Sequence, residues 1–246
     1  TSSGSPNKQE LDKNMGWLSL AIWTPIVIGA LLLLFGKDSQ ATLVRWIALL
    51  GSILSFLVTL PLYSGFKLGT AEMQFVEKAP WIERFNVNCH LGIDGLSVWF
   101  VLLTAFITII VVIAGWEVIQ RKVNQYMASF LILSGIMIGV FCALDGVLFY
   151  VFFEATLIPM YLIIGVWGGP NKIYAAFKFF LYTLLGSFLM LVGFIYLYAK
   201  SGGSFDVLAW HQLPLSGTAQ TLLFFALFAA FAVKVPMWPV HTWLPD

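Results

Sequence analysis

"VLFYVFFEATLIPMYLIIGVW", residues 147–167, carries one charged side chain, Glu154, in an otherwise apolar run. A bilayer core is crossed by about 20 such residues in a helix, so this stretch reads as a membrane span with a carboxylate inside it. A lone acid in hydrocarbon is costly and requires a partner, a proton or a wet cavity. The rest of the chain agrees with that reading. Of its 246 residues 60% are hydrophobic and only 10% charged, where a soluble domain carries about 25% charged residues. Mean hydropathy is +0.90. The fold class is therefore an all-α polytopic membrane protein.

Composition also excludes function classes. A net charge of +1 gives no basic field for nucleic acid. Two cysteines and three histidines make a poor ligand set for haem, zinc or an iron–sulfur cluster, and no glycine-rich phosphate loop follows a strand. No cofactor and no metal are expected on this chain.

Seven segments are long enough to span: residues 17–35, 43–63, 96–116, 126–144, 147–167, 173–198 and 221–240. Residues 1–14, "TSSGSPNKQELDKN", are polar and lack an apolar face, which predicts a disordered tail before a membrane domain over 15–246. Between the second and third spans, Phe85, Val87, Cys89, Leu91 and Ile93 alternate with polar residues. That period of two predicts a strand with one buried face, with Cys89 packed on it and His90 facing the other way. A weaker alternation at 71–78 completes a small extramembrane hairpin at about 70–94. Short, dense basic loops after the first, third and fifth spans place the N-terminus outside by the positive-inside rule.

Three ionisable residues lie within spans: Glu154, Lys178 and Lys234. Each costs roughly 2.5–3.5 kcal/mol near a helix centre. Glu154 lies ~12 Å and Lys234 ~20 Å along their spans at about 1.5 Å per residue, which puts both near the midplane. Unit charges ~4 Å apart couple by about 4 kcal/mol at an effective dielectric of about 20, enough for a change in separation to load or unload a proton on Lys234. One reading is thus a proton-handling pair; the other is a static ion pair that clips two helices. Pro236 breaks the seventh span and leaves the Ala232 carbonyl without its helical donor, and Pro239 follows. If the helix continued, Lys234, Trp238 and His241 would share one face at i, i+4 and i+7. His241 would then be a second station of a proton path, or else an interfacial histidine. Lys178 either snorkels to the surface or joins the relay, with Tyr182 on its face.

Three stretches carry a family resemblance: "ALDGVLFYVFFEATLIPMYLIIGVWGG" (143–169), "IYAAFKFFLYTLLGS" (173–187) and "FAVKVPMWPVHTWLPD" (231–246). With "APWIERF" and "LGIDGLSVWFVLLTAF", they resemble the antiporter-like proton-pumping subunits of respiratory complex I over about residues 15–246. The resemblance implies that Glu154 and Lys234 form the family's glutamate–lysine pair, that Lys178 holds a matching place on the sixth span, and that the seventh helix is discontinuous. It implies proton translocation driven by redox chemistry in other subunits, through Glu154, Lys234, Lys178 and His241. The assembled complex would use NADH, flavin, iron–sulfur clusters and quinone, none of them held here. Implied partners are the other membrane subunits of complex I and the lipid bilayer. The implied location is a bacterial cell inner membrane, with the mitochondrial inner membrane as the alternative. Family members have about fourteen spans, which implies that this sequence is an N-terminal portion of such a subunit. Two other functions stay open: a subunit of a multi-subunit cation/proton antiporter, and a purely structural membrane subunit.

Overall fold

The computed structural model describes residues 16–245; the tail expected over residues 1–14 lies outside them. Seven helical segments are long and apolar enough to cross a membrane: Trp17–Phe35, Asp38–Ser64, Ser97–Val118, Val123–Cys142, Gly146–Trp167, Lys172–Lys200 and Gly217–Lys234. A two-stranded antiparallel hairpin, β1 (Gln74–Ile82) and β2 (Val87–Ile93), lies between the second and third. The chain divides into two compact units.

One unit takes the first four spans and the base of the hairpin, residues up to Ala79 and Cys89–Ala143. The first and fourth spans approach closely because two glycines leave room. A Cβ on Gly135 would collide with the Ile22 carbonyl, and one on Gly29 would lie 2.9 Å from the Ala128 carbonyl. The third and fourth spans share a buried hydrogen bond from Thr108 Oγ1 to Ser134 Oγ, 2.9 Å. The start of the first helix is capped from outside its own sequence. The Glu77 carboxylate on β1 accepts the backbone N–H groups of Gly16 (3.1 Å), Leu18 (2.7 Å) and Ser19 (3.3 Å), and the Ser19 hydroxyl donates to it as well. These are orphan donors that every helix start leaves over. The helix ends are tied in the same way. Arg45 donates to the Ile119 carbonyl at 2.8 Å, and Asn124 Nδ2 to the Gly36 carbonyl at 3.0 Å.

Just before the third span, Asp94 and Ser97 cap each other. Asp94 Oδ1 accepts from Ser97 N at 2.7 Å and Leu96 N at 3.1 Å, while Asp94 N donates to Ser97 Oγ at 2.8 Å. These bonds, the one to Ser97 foremost, hold the Asp94 carboxyl below the usual aspartate range.

The other unit takes the last three spans and the hairpin tip, Pro80–Asn88. Asp145, 1% exposed, organises its start. Its carboxylate accepts from Val147 N (2.9 Å), Leu148 N (3.2 Å) and Asn88 N (2.9 Å). Next to it Gly146 N donates to the Phe205 carbonyl (2.8 Å) and Val207 N to the Leu144 carbonyl (2.9 Å). Only glycine fits at 146, because a Cβ would run into the ring of Trp210. The sixth and seventh spans pack along one another.

The hairpin departs from the expected alternation. Val87, Leu91 and Ile93 are buried as predicted, but so are His90 and Gly92, whereas Cys89 is only half-buried and Phe85 lies exposed in the connecting turn. The end of β2 is covered on both faces, and Leu91 bridges to Ala143 beyond the hairpin. A period of two marks one buried face and fails where both are covered.

Candidate functional site

Both residues of the expected pair belong to the second unit, and each sits at a break in a span. The fifth span is not one continuous helix. It divides into Gly146–Ala155 and Leu157–Trp167 around Thr156. Pro159 explains the loosening, since it has no N–H to give the Ala155 carbonyl one turn earlier. The hydrogen bonds across the junction are long: Thr156 N to the Phe152 carbonyl is 3.3 Å and Met160 N to the Thr156 carbonyl is 3.4 Å. Glu154 lies just before this break.

The seventh span is shorter than expected. Its helix covers Gly217–Lys234 and ends there, so Lys234 is the last helical residue rather than a mid-helix one. The residues after it form turns, and the expected shared helix face of Lys234, Trp238 and His241 does not form. Pro236 cannot continue the helix, because it has no N–H to give the carbonyl one turn earlier and its ring crowds that carbonyl. The carbonyls this releases are taken up locally. Met237 N donates to the Ala232 carbonyl at 2.8 Å, and the Trp243 indole Nε1 donates to the Val233 carbonyl at 2.8 Å. Backbone left open at membrane depth requires such partners.

The two breaks meet at the lysine. Lys234 Nζ donates to the Phe153 carbonyl at 2.8 Å and to Thr156 Oγ1 at 2.8 Å, and it lies 3.7 Å from the centroid of the Phe153 ring. Phe153 and Thr156 are both buried. Glu154 and Lys234 are electrostatic neighbours, yet the ammonium makes its hydrogen bonds to the fifth span's backbone and hydroxyl rather than to the carboxylate. Ser187 on the sixth span stands within hydrogen-bonding reach of Glu154. The other carboxylate oxygen, Oε1, is buried and without a hydrogen-bond partner among the described residues.

The remaining predicted residues lie on the sixth span and in the turns after the seventh helix. Lys178 is half-buried, with its ammonium 5.7 Å from the centroid of the Tyr174 ring. It lies nine residues before Ser187, roughly 13 Å along the helix at 1.5 Å per residue. His241 is half-buried in the turns after the seventh helix, and its Nδ1 is buried without a hydrogen-bond partner among the described residues. Beside it, Thr242 Oγ1 donates to the Tyr182 hydroxyl at 3.1 Å.

Sequence reasoning missed Thr156, the Phe153 carbonyl, Ser187 and Trp243. For Thr156 a signal was present: a proline three residues on, in a span that already held a buried acid. For Ser187 and Trp243 no local pattern announces a role.

Comparison with known proteins is consistent along nearly the whole chain. Residues 143–246 match the family model described as "NADH:quinone oxidoreductase/Mrp antiporter, TM". NADH-quinone oxidoreductase subunit M of Rhodobacter capsulatus is 48% identical over 93% of this chain and 47% of that protein. A chain in the structure of respiratory complex I from Thermus thermophilus with bound NADH superposes with a TM-score of 0.80 at 33% identity, over 93% of this chain and 46% of that one. A chain of the Mrp complex from Dietzia shares the fold, with a TM-score of 0.78 at 20% identity over 93% of this chain and 25% of that one. The sequence described here spans about half the length of the curated relatives it matches.

Proposed function

The chain belongs to the antiporter-like membrane-subunit family of NADH:quinone oxidoreductases and Mrp antiporters, and from that premise we propose that it takes part in proton translocation within an NADH:quinone oxidoreductase. The observation that carries the proposal is the meeting of two interrupted spans around Glu154 and Lys234. A static clip calls for a closed ion pair. Here the ammonium rests on neutral acceptors beside a carboxylate with an open oxygen, an arrangement in which a small displacement changes how strongly the two charges couple. Glu154 and Lys234 exchange the proton. Lys178 and His241 extend the path along the sixth span and past the seventh. The driving redox chemistry takes place in partner subunits, and the bilayer is a bacterial cell inner membrane.

The test replaces Lys234 or Glu154 by alanine in the full-length subunit within its assembled complex. The proton-to-electron ratio of NADH oxidation in sealed vesicles is then expected to fall in both variants. An unchanged ratio in both would refute the proposal. The family description also covers Mrp antiporters, so a second reading is a cation/proton antiporter subunit. Sodium-dependent proton efflux in vesicles without NADH or quinone would favour that reading.

A further inference from the structure

We infer that Thr156 is a positioning residue, whose hydroxyl together with the Phe153 carbonyl forms a resting site for the Lys234 ammonium beside, but not on, the Glu154 carboxylate. The inference rests on the reading of Glu154 and Lys234 as a proton-handling pair and adds to it the group that keeps them apart.

The geometry has three parts. First, Thr156 Oγ1 donates its own proton to the Phe153 carbonyl at 2.7 Å. A hydroxyl has one proton and two lone pairs, so the oxygen is left free to accept, and Lys234 Nζ donates to it at 2.8 Å. Second, the Phe153 carbonyl receives both that hydroxyl and the ammonium, the latter at 2.8 Å. Carbonyl, hydroxyl and ammonium thus close a small triangle at the interruption of the fifth span. Third, the Phe153 ring face lies 3.7 Å from the same ammonium, a favourable place for a cation. The site therefore offers two hydrogen bonds and a π face, all neutral. Transfer of the ammonium to Glu154 would exchange these for one opposite charge. Without Thr156 the ammonium loses an acceptor on the neutral side, and the lysine shifts toward the carboxylate and stays there.

The hydroxyl is separable from the bulk of the side chain. Thr156→Val keeps the shape and removes the hydroxyl; Thr156→Ser keeps the hydroxyl and removes the methyl. In the full-length subunit within its assembled complex, T156V is expected to slow proton transfer about tenfold, the factor given by one lost hydrogen bond to a charged group, and to lower the proton-to-electron ratio. T156S is expected to retain both. Should the valine variant fail to assemble, Thr156→Ala removes the same hydroxyl without a second branch and is read the same way. Normal pumping in T156V or T156A, with pumping lost in K234A, overturns the resting site while leaving the pair intact. Normal pumping in K234A as well overturns the pair and the resting site together. A fall in T156S equal to that in T156V shows a packing role and also overturns the inference.

Discussion

The two units of this chain use polar groups alike at helix ends, Glu77 in the first and Asp145 in the second, and differ where spans are interrupted. In the first, whose spans are continuous, Glu77 takes the free N–H groups of the first helix, Arg45 takes a terminal carbonyl of the third, and Thr108 and Ser134 satisfy one another in mid-span. In the second, the same kinds of group appear where helices are interrupted. Lys234 reaches across to a carbonyl and hydroxyl at the break in the fifth span; Glu154 Oε1 and His241 Nδ1 are buried and unpartnered among the described residues, as is Arg45 Nε in the first unit. Continuous helices use up their own backbone groups, so polar side chains there close helix ends or bond to one another. Interrupted helices create acceptors at depth, and there a charge can be held without being fixed.

On this contrast, substitutions in the first unit change stability but not pumping per assembled complex, and those around the breaks act more on pumping than on stability. The largest stability effect is expected of Glu77→Ala. It strands several helix-start donors and is expected to cost about 3 kcal/mol, read as earlier thermal dissociation in detergent, with an unchanged proton-to-electron ratio. Gly135→Val comes next. The added side chain meets the Ile22 carbonyl across the helix crossing, and overpacking of this kind costs about 2 kcal/mol; a more stable variant would show that the crossing is not close. Trp243→Phe removes the donor to the Val233 carbonyl, at about 1 kcal/mol. Because that bond closes the turn after Lys234, the pumping ratio is expected to fall more than stability does, and the opposite ranking would break the comparison.

The smallest effect is that of acid on Asp94. Its carboxyl is held below the ordinary 3.8 by its bonds to Ser97 and Leu96. The stability it adds is therefore complete above about pH 4 and is lost as pH falls through its lowered value. The contribution is about 0.5 kcal/mol, because the partly exposed carboxylate is screened by water. Asp94→Asn should lie below the parent at neutral pH and converge with it in acid. A gap independent of pH would refute the assignment.

Spans were the most legible feature, because apolar length alone defines them: the first was expected over 17–35 and runs Trp17–Phe35. The hairpin was legible in outline from its period of two, and the burial of His90 was not, since a single strand's pattern cannot tell what covers its second face. The break after the seventh helix was legible at Pro236. The extent of it was not: the shared face of Lys234, Trp238 and His241 assumed helix geometry through 241, where the chain instead turns. The ionisable residues themselves were conspicuous by cost. Their neighbours were not, because Thr156, Ser187 and Trp243 are ordinary residues made important only by which helix faces them, and Glu77 caps a helix about sixty positions away in sequence.

The Trp243 indole has a use of its own. Its N–H is bound to the carbonyl immediately before Lys234, and its ring meets Phe179 edge-on at 5.1 Å. Indole emission shifts to the red when that N–H is released to water. In a chain whose other tryptophans are replaced by phenylalanine, the colour of Trp243 would register the opening and closing of the turn next to the lysine during turnover, a built-in optical gauge of the break that needs no attached label.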